Sequence, residues 1–299
     1  MTTSNSSATR ALNRIVDSVT AVEGGGFTVF RPFPIAELNW IDPFLLLDEM
    51  APTFHQPGSE PIGAPAHPHR GFETVTFVLE GEMEHKDSAG NHGIIGPGDV
   101  QWMTAGDGIV HEEMPSERIQ REGGLGHGIQ LWVNLPAALR RTQPNYQALP
   151  ASSLAEARGP GWKAAVVSGD LFGVIGPAKT HTPVGYARLT AEPGAELQFV
   201  VPEGHTAALY IFAGSANLDS QTVGSQKLAI FDTSGGDVAV SVPGDSEGPL
   251  DCMVMTGQPI DEPMVRQGPF VMNQRSELQE AIIDFQAGRM GTIEATGTV

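Results

Sequence analysis

Apolar residues in this chain come in short bursts closed by glycine or proline, not at the i, i+3, i+4 spacing of long helices. Glu73 to Leu79 is rich in β-branched and aromatic residues and stops at Gly81; Glu82 to His85 opens the next strand. Asp87-Ser88-Ala89-Gly90-Asn91 has the composition of a hairpin turn, and Pro97-Gly98-Asp99 is a second turn before the strand Val100 to Met103. Gly106-Asp107-Gly108 then turns the chain into Ile109 to Glu113. Upstream, Phe27 to Arg31 predicts a strand ended by Pro32 and Pro34, Asp42 to Met50 predicts a buried strand, and residues 52–66 form a loop rich in Pro and Gly. Downstream, Gln130 to Leu135 predicts a strand, Pro136 to Gln143 a short helix, and residues 141–160 a linker. Strands recurring every ~8–12 residues with turns between them predict a β-sandwich or barrel.

The pattern repeats after the linker. Glu203 to Gly214 matches Glu73 to Gly81, and Leu228 to Phe231 with Gly235-Gly236 matches Val100 to Gly108. This predicts two copies of one β-domain, 11–145 and 146–299. The end of the chain differs: Ser276-Glu277-Leu278-Gln279 has capping-box form, and Leu278, Ile282 and Phe285 fall on one helical face before Gly288. A single amphipathic C-terminal helix is expected.

Composition narrows the partners. With 17 basic and 35 acidic residues the formal net charge is -18. Such a chain repels nucleic acid phosphate and anionic membrane, and no Lys/Arg run opposes this locally. No stretch is long and apolar enough for a membrane span, and the Ser/Thr-rich residues 1–10 lack the apolar core of a signal peptide and are expected to be disordered. The one cysteine, Cys252, sits in an apolar run and reads as a buried thiol. A cytoplasmic monomer is the expectation.

Candidate chemistry lies between His67 and Glu113. His67-Pro68-His69 precedes one strand, and His111-Glu112-Glu113 ends another. On strands, residues i and i+2 share a face at ~6–7 Å, so two facing pairs would aim four donors at one point. His/carboxylate clusters of this kind bind transition metals. Spacing leaves the fourth ligand open between Glu73 and Glu113. Three neutral imidazoles and a carboxylate make a +1 site with a divalent ion. On an octahedral metal they leave two positions free, which suits Fe(II), with Ni, Mn or Zn as substitutes. Phe72, Val75, Phe77, Trp102 and Met103 are candidates for packing near the ion, His127 for the pocket mouth, and His85 and His92 flank a hairpin and read as solvated. In the second copy, Val200 and Pro202 align with His67 and His69, and Ala239 and Ser241 with His111 and Glu113, so no metal site is expected there.

Four stretches carry a family resemblance: Asp42 to Glu49, His67 to Gly81, Gly98 to Glu113, and Gly268-Pro269-Phe270-Val271-Met272-Asn273. Together they resemble the pirin family, two-domain members of the cupin superfamily. The resemblance implies an all-β fold of two tandem cupin (jelly-roll β-barrel) domains with a C-terminal α-helix. It implies one iron, on positions matching His67, His69, His111 and Glu113, and sets Glu73 aside as a ligand. It also implies quercetin 2,3-dioxygenase activity on a flavonol-like small molecule with O2, with Glu113 as catalytic base. The alternative it implies is a metal- or redox-sensing regulator that acts through protein partners. Two departures stand out. Asp107 occupies a turn position where relatives carry Arg, which would make the pocket less attractive to anions. Gln274 replaces a helix-capping Thr, which would move the cap to Ser276.

Overall fold

In the computed structural model, which describes residues 9–293, regular structure is mostly antiparallel strand. Contacts divide the described residues into two units, one of 20–40, 44–152 and 260–293, the other of 9–19, 41–43 and 153–259. These differ from the continuous halves 11–145 and 146–299 at both ends. Leu12–Asp17 pairs with Lys227–Phe231 and so belongs with the later strands. The helix Arg275–Gln286 packs through Leu278 and Ala281 against Val110, Phe270 and Met272 and so belongs with the earlier ones. A bare strand edge and a helix with an apolar stripe each go to the surface that completes them, whatever their place in sequence.

The two units share one plan. In the first, a seven-stranded sheet runs in the order Asn145–Leu149, Val100–Thr104, Phe72–Glu80, Gly124–Asn134, Phe44–His55, Phe27–Phe33, Val19–Glu23. A four-stranded sheet runs Ala64–His69, Ile109–Pro115, Met83–Asp87, His92–Ile95. The second unit again has seven strands and four. Its apolar core is built from residues such as Leu189, Leu209, Ile211, Leu218 and Val254, with Cys252 among them; burial raises that thiol well above its ordinary value. Among the described residues, no helix is long and apolar enough to cross a membrane.

Phe72–Glu80 lies at the centre of its sheet, and every residue from Phe72 to Leu79 is buried. That suits its Thr, Val and Phe content, since β-branched and aromatic side chains pack well on a pleated surface. Gly71 lets the chain enter this strand: its φ is +91°, and a Cβ there would stand 1.8 Å from the Val271 carbonyl oxygen.

Several local expectations are corrected. The strand expected from Gln130 begins earlier: Gly124–Asn134 is one strand, paired with Phe44–His55 from Gly124 opposite His55 to Val133 opposite Phe44. Missing side chains allow that closeness; a Cβ on Gly128 would meet Met50 at 2.8 Å and the Phe77 carbonyl at 3.0 Å. Within the expected linker, Asn145–Leu149 is an edge strand on Val100–Thr104. Of the expected disordered tail, residues 1–8 lie outside the described residues, but Arg10 is buried. Its guanidinium donates to the carbonyls of Val201, Pro202, His205, Asp232 and Gly236. The helix cap is Gln274, with Glu277 Oε2 accepting from the Gln274 and Asn273 amides at 2.8 and 3.0 Å; Ser276 lies inside the helix. Its buried face is Leu278, Ala281 and Asp284, while Phe285 is exposed.

Asp284 is there for Arg70, the residue after His69. Buried Arg70 donates through Nη1 to Asp284 Oδ2 at 2.7 Å and through Nε to the Asp107 carbonyl at 2.6 Å. Removing one partner from a buried pair leaves a charge without compensation. Asp284→Ala is therefore expected to destabilise the protein by roughly 3 kcal/mol in urea unfolding, whereas Glu280→Ala on the exposed face should change it by less than about 0.5 kcal/mol.

Candidate metal centre

The strands Ala64–His69 and Ile109–Pro115 pair antiparallel with His67 opposite His111. Alternation sends His67 and His69 to one face, and the pairing sends His111 to the same face. The His67 and His69 Nε2 atoms are 3.1 Å apart. Ring centroids are 4.3 Å apart for His67 and His111 and 4.9 Å for His69 and His111. Potential ligand atoms of the three lie within 4.8 Å of one another.

Glu113 arrives beside His111 through a bulge. The register shifts between His111 and Glu113, so Glu113 stands opposite Ala64. Its carboxylate is held by a polar row across three neighbouring strands. Gln101, Thr76 and Gln130 sit opposite one another in register. Gln130 Nε2 donates to Oε2 at 3.0 Å, Thr76 Oγ1 donates to Oε1 at 3.1 Å, and Gln101 Nε2 also donates to Oε1.

A second cluster, missed from the sequence, joins His85 to His111 and Glu113. His85 is not solvated but fully buried, directly opposite Glu113 in the ladder. Its Nε2 lies 3.2 Å from Asp87 Oδ2 and its ring stacks on Tyr146 at 4.7 Å. The period-two run His85, Asp87 opposite a ligand strand was the available signal, masked by the hairpin turn that follows it. His92 is exposed beside Glu84, and His127 lines the cavity 3.0 Å from Glu49.

The donor set fits a metal on two physical grounds. Among the described residues, both ring nitrogens of buried His111 and the Nδ1 of buried His85 have no hydrogen-bond partner. Burial, then the neighbouring imidazoles, hold His69 and His111 well below the ordinary histidine value. These are neutral imidazoles with free lone pairs, the form that binds a divalent ion.

Glu73 is elsewhere. It sits opposite Thr104 with its Oε1 accepting from that hydroxyl at 2.7 Å, one residue out of step with Thr76 and so on the other face of the sheet. Val75, Phe77 and Trp102 share that face, while Phe72 packs 5.1 Å from the His69 ring. In the second unit, Glu196–Phe199 pairs with Val238–Ser241 much as the histidine strands pair. Ala239 stands opposite Gln198, so Val200 and Pro202 lie past the strand end and the expected alignment is corrected by two residues. The buried positions there are Leu197 and Phe199 opposite Val240 and Val238, all part of the apolar core.

A cavity of about 680 Å³ opens onto His67, His69 and Glu113, with Phe27, Leu46, Ile62, Val78, Leu125 and Trp132 among its walls. A larger, shallower hollow of about 820 Å³ in the other unit, lined by Gln198, Asn217 and Ala239, holds no histidine.

Comparison with known proteins agrees with this geometry. The family descriptions Pirin and Pirin C-terminal cupin domain match residues 26–133 and 186–291. The chain is 40% identical over 272 residues to a Pseudomonas aeruginosa protein named "Putative quercetin 2,3-dioxygenase", covering 89% of this chain and 93% of that one. The chain belongs to the pirin family. Human pirin is 38% identical over 272 residues, with 90% of each chain covered. The crystal structure of a quercetin 2,3-dioxygenase from Acinetobacter baumannii superposes with a TM-score of 0.89 at 37% identity, covering 96% of this chain and all of that one. The fold is accordingly all-β, two cupin domains with a C-terminal helix, and the His/Glu cluster of this pirin could hold a metal.

The Glu73 carboxyl has a readable consequence. Burial pushes it up to about 7, against the opposing hydrogen bond from Thr104. The folded chain thus keeps a proton that the unfolded chain releases near 4.5. The resulting stability is complete below about pH 4.5 and is lost as pH rises through about 7. Glu73→Gln should therefore be more stable than wild type by roughly 2–3 kcal/mol at pH 8, with the advantage gone near pH 4.5, in urea titrations at both values.

Proposed function

We propose that this pirin is a quercetin 2,3-dioxygenase-type enzyme using Fe(II) held by His67, His69, His111 and Glu113. The supporting observation is the cluster of His67, His69 and His111, joined through His111 to the buried carboxylate of Glu113, beside a largely apolar cavity. Bound there, the ion would supply two free coordination positions, enough for the 3-hydroxyl and 4-keto oxygens of a flavonol, and would activate the bound flavonol toward O2.

The protein's own residues do the rest. The apolar walls accept the flat aromatic ligand and exclude water from it. Glu113 takes the proton of the 3-hydroxyl on a carboxylate oxygen, as general base. Gln130 holds Oε2 while Thr76 and Gln101 hold Oε1, so the carboxylate is aimed before substrate arrives. His85 stands on the far side of His111, braced by Asp87 and Tyr146. Its ligand nitrogen lies within 4.8 Å of the ligand atoms of His111 and Glu113, and we assign it to support of these two. We place the protein in the cytoplasm as a monomer, consistent with its single buried thiol.

Metal analysis of protein purified without chelator should find about one divalent ion per chain, and His111→Ala should lose most of it. Iron-loaded protein in air should consume quercetin, read by loss of flavonol absorbance. Glu113→Gln should retain iron yet lower kcat by roughly 10²–10⁴-fold. Normal turnover by an iron-loaded Glu113→Gln would remove Glu113 from the base role. The second reading, a metal-sensing regulator, suits the relatives named simply pirin. Absence of quercetin turnover together with ferrous- or ferric-dependent capture of a protein partner would favour it.

A further inference from the structure

The cavity that meets the histidines also holds a cation that, among the described residues, no carboxylate contacts directly. Arg266 lines the cavity, and its guanidinium lies over the face of Trp132 at 4.8 Å from the ring centroid. Trp132 in turn stands edge-on to His69 at 5.1 Å. The guanidinium is therefore no farther from the His69 ring than those two steps together. One N–H is used: Nη1 donates to the Leu45 carbonyl at 3.1 Å. A guanidinium has five N–H donors, and among the described residues no carboxylate forms an ion pair with this one.

The nearest acids are engaged elsewhere. Arg31 takes Asp48 in a bidentate pair, with Nε 2.7 Å from Oδ1, and takes Glu23 at 2.7 Å. Burial and the neighbouring Arg31 lower the Arg266 value, with Asp48 and Glu23 opposing only at a distance. The guanidinium thus keeps N–H donors that no carboxylate occupies directly, facing the cavity. Its position is held: Trp132 Nε1 donates to Gln130 Oε1 at 3.3 Å, and Gln130 also donates to Glu113. One continuous set of contacts thus runs from the guanidinium to the carboxylate at the histidine cluster.

We propose that Arg266, held over the face of Trp132, is a specificity-determining residue that binds an anionic oxygen, carboxylate or ionised phenol, at the end of a planar aromatic substrate remote from the histidines. This rests on the histidine cluster being where the substrate's chelating oxygens are held. The substrate class is then an acidic polyphenol with its charge on the ring farthest from the chelating pair. Trp132, itself packed against Phe72, holds the guanidinium in place, and the free N–H groups of Arg266 supply charge-assisted hydrogen bonds.

The test compares 3-hydroxyflavone with its 4′-carboxylate by calorimetric titration into iron-loaded protein without oxygen. Wild type should bind the carboxylate about tenfold or more tighter, as a charge-assisted contact commands. Arg266→Gln should abolish that preference while changing 3-hydroxyflavone affinity by no more than about twofold, and Arg266→Lys should keep part of it. No preference in wild type, or an equal loss for both ligands in Arg266→Gln, overturns the proposal and leaves Arg266 as a brace for the Leu45 carbonyl. Turnover of 3-hydroxyflavone in air is scored separately. If it fails while the carboxylate preference and its loss in Arg266→Gln persist, the anion seat stands and the dioxygenase reading falls.

Discussion

A buried carboxylate hung from three strands organises the interior of the first unit. Glu113 is largely out of solvent, so each of its oxygens needs donors from the protein. Gln101, Thr76 and Gln130 meet that need from a single level of the sheet, because register places them side by side. Tyr146 extends the row on one side by donating to Gln101 Oε1 at 3.3 Å, and Trp132 extends it on the other through Gln130. A one-residue slip in any of these strands would turn its member of the row to the opposite face, where Glu73 and Trp102 lie. Sheet register, side-chain network and cavity wall are thus one constraint, and a network of this kind rewards only full satisfaction.

The two units show what that constraint displaces. Both use seven strands and four, yet the paired strands that carry histidines in one carry Leu197, Phe199, Val238 and Val240 in the other. Apolar side chains in those positions close the interior and need no partners. Histidines and a carboxylate leave lone pairs that the protein alone does not satisfy, as at His111 and His85. The second interior is a filled core, and the first is an opening onto a cavity.

What could be read from the sequence follows the range of the interactions involved. The strands around His67 to Glu113, the paired motifs His67-Pro68-His69 and His111-Glu112-Glu113, and the terminal helix all declare themselves through local period and turn residues. Spacing alone left Glu73 and Glu113 level, since only the register with Thr104 and with Thr76 shows that they occupy opposite faces. His85 was hidden for the same reason: a hairpin flank suggests solvent until its pairing opposite Glu113 is known. The strand expected from Gln130 was begun too late because glycine is depleted in strands, although the closeness of Met50 and Phe77 requires it at Gly128. Arg10 looked like part of a polar tail because its five carbonyl partners lie some two hundred residues away. The exchange of the terminal strand and helix between the units is non-local in the same way.

The aspartate at position 107 shows how a charge change near a site can leave the site's electrostatics intact. Replacing a cation by an anion in that turn would be expected to turn anions away. Yet Asp107 Oδ1 accepts from Arg141 Nε at 2.6 Å, Arg141 also reaches Glu280, and Arg70 lies 3.8 Å from the same carboxylate. The inverted charge is balanced where it stands, by residues that tie the turn to the terminal helix, and Asp107 is absent from the described lining of the cavity. Opposite charges within a few ångströms cancel at longer range, so the potential inside the cavity is set by groups that face it. Those groups are Arg31 and Arg266 on the cationic side and Glu23, Asp48, Glu80, Glu82 and Glu113 on the anionic side, and the turn is not among them.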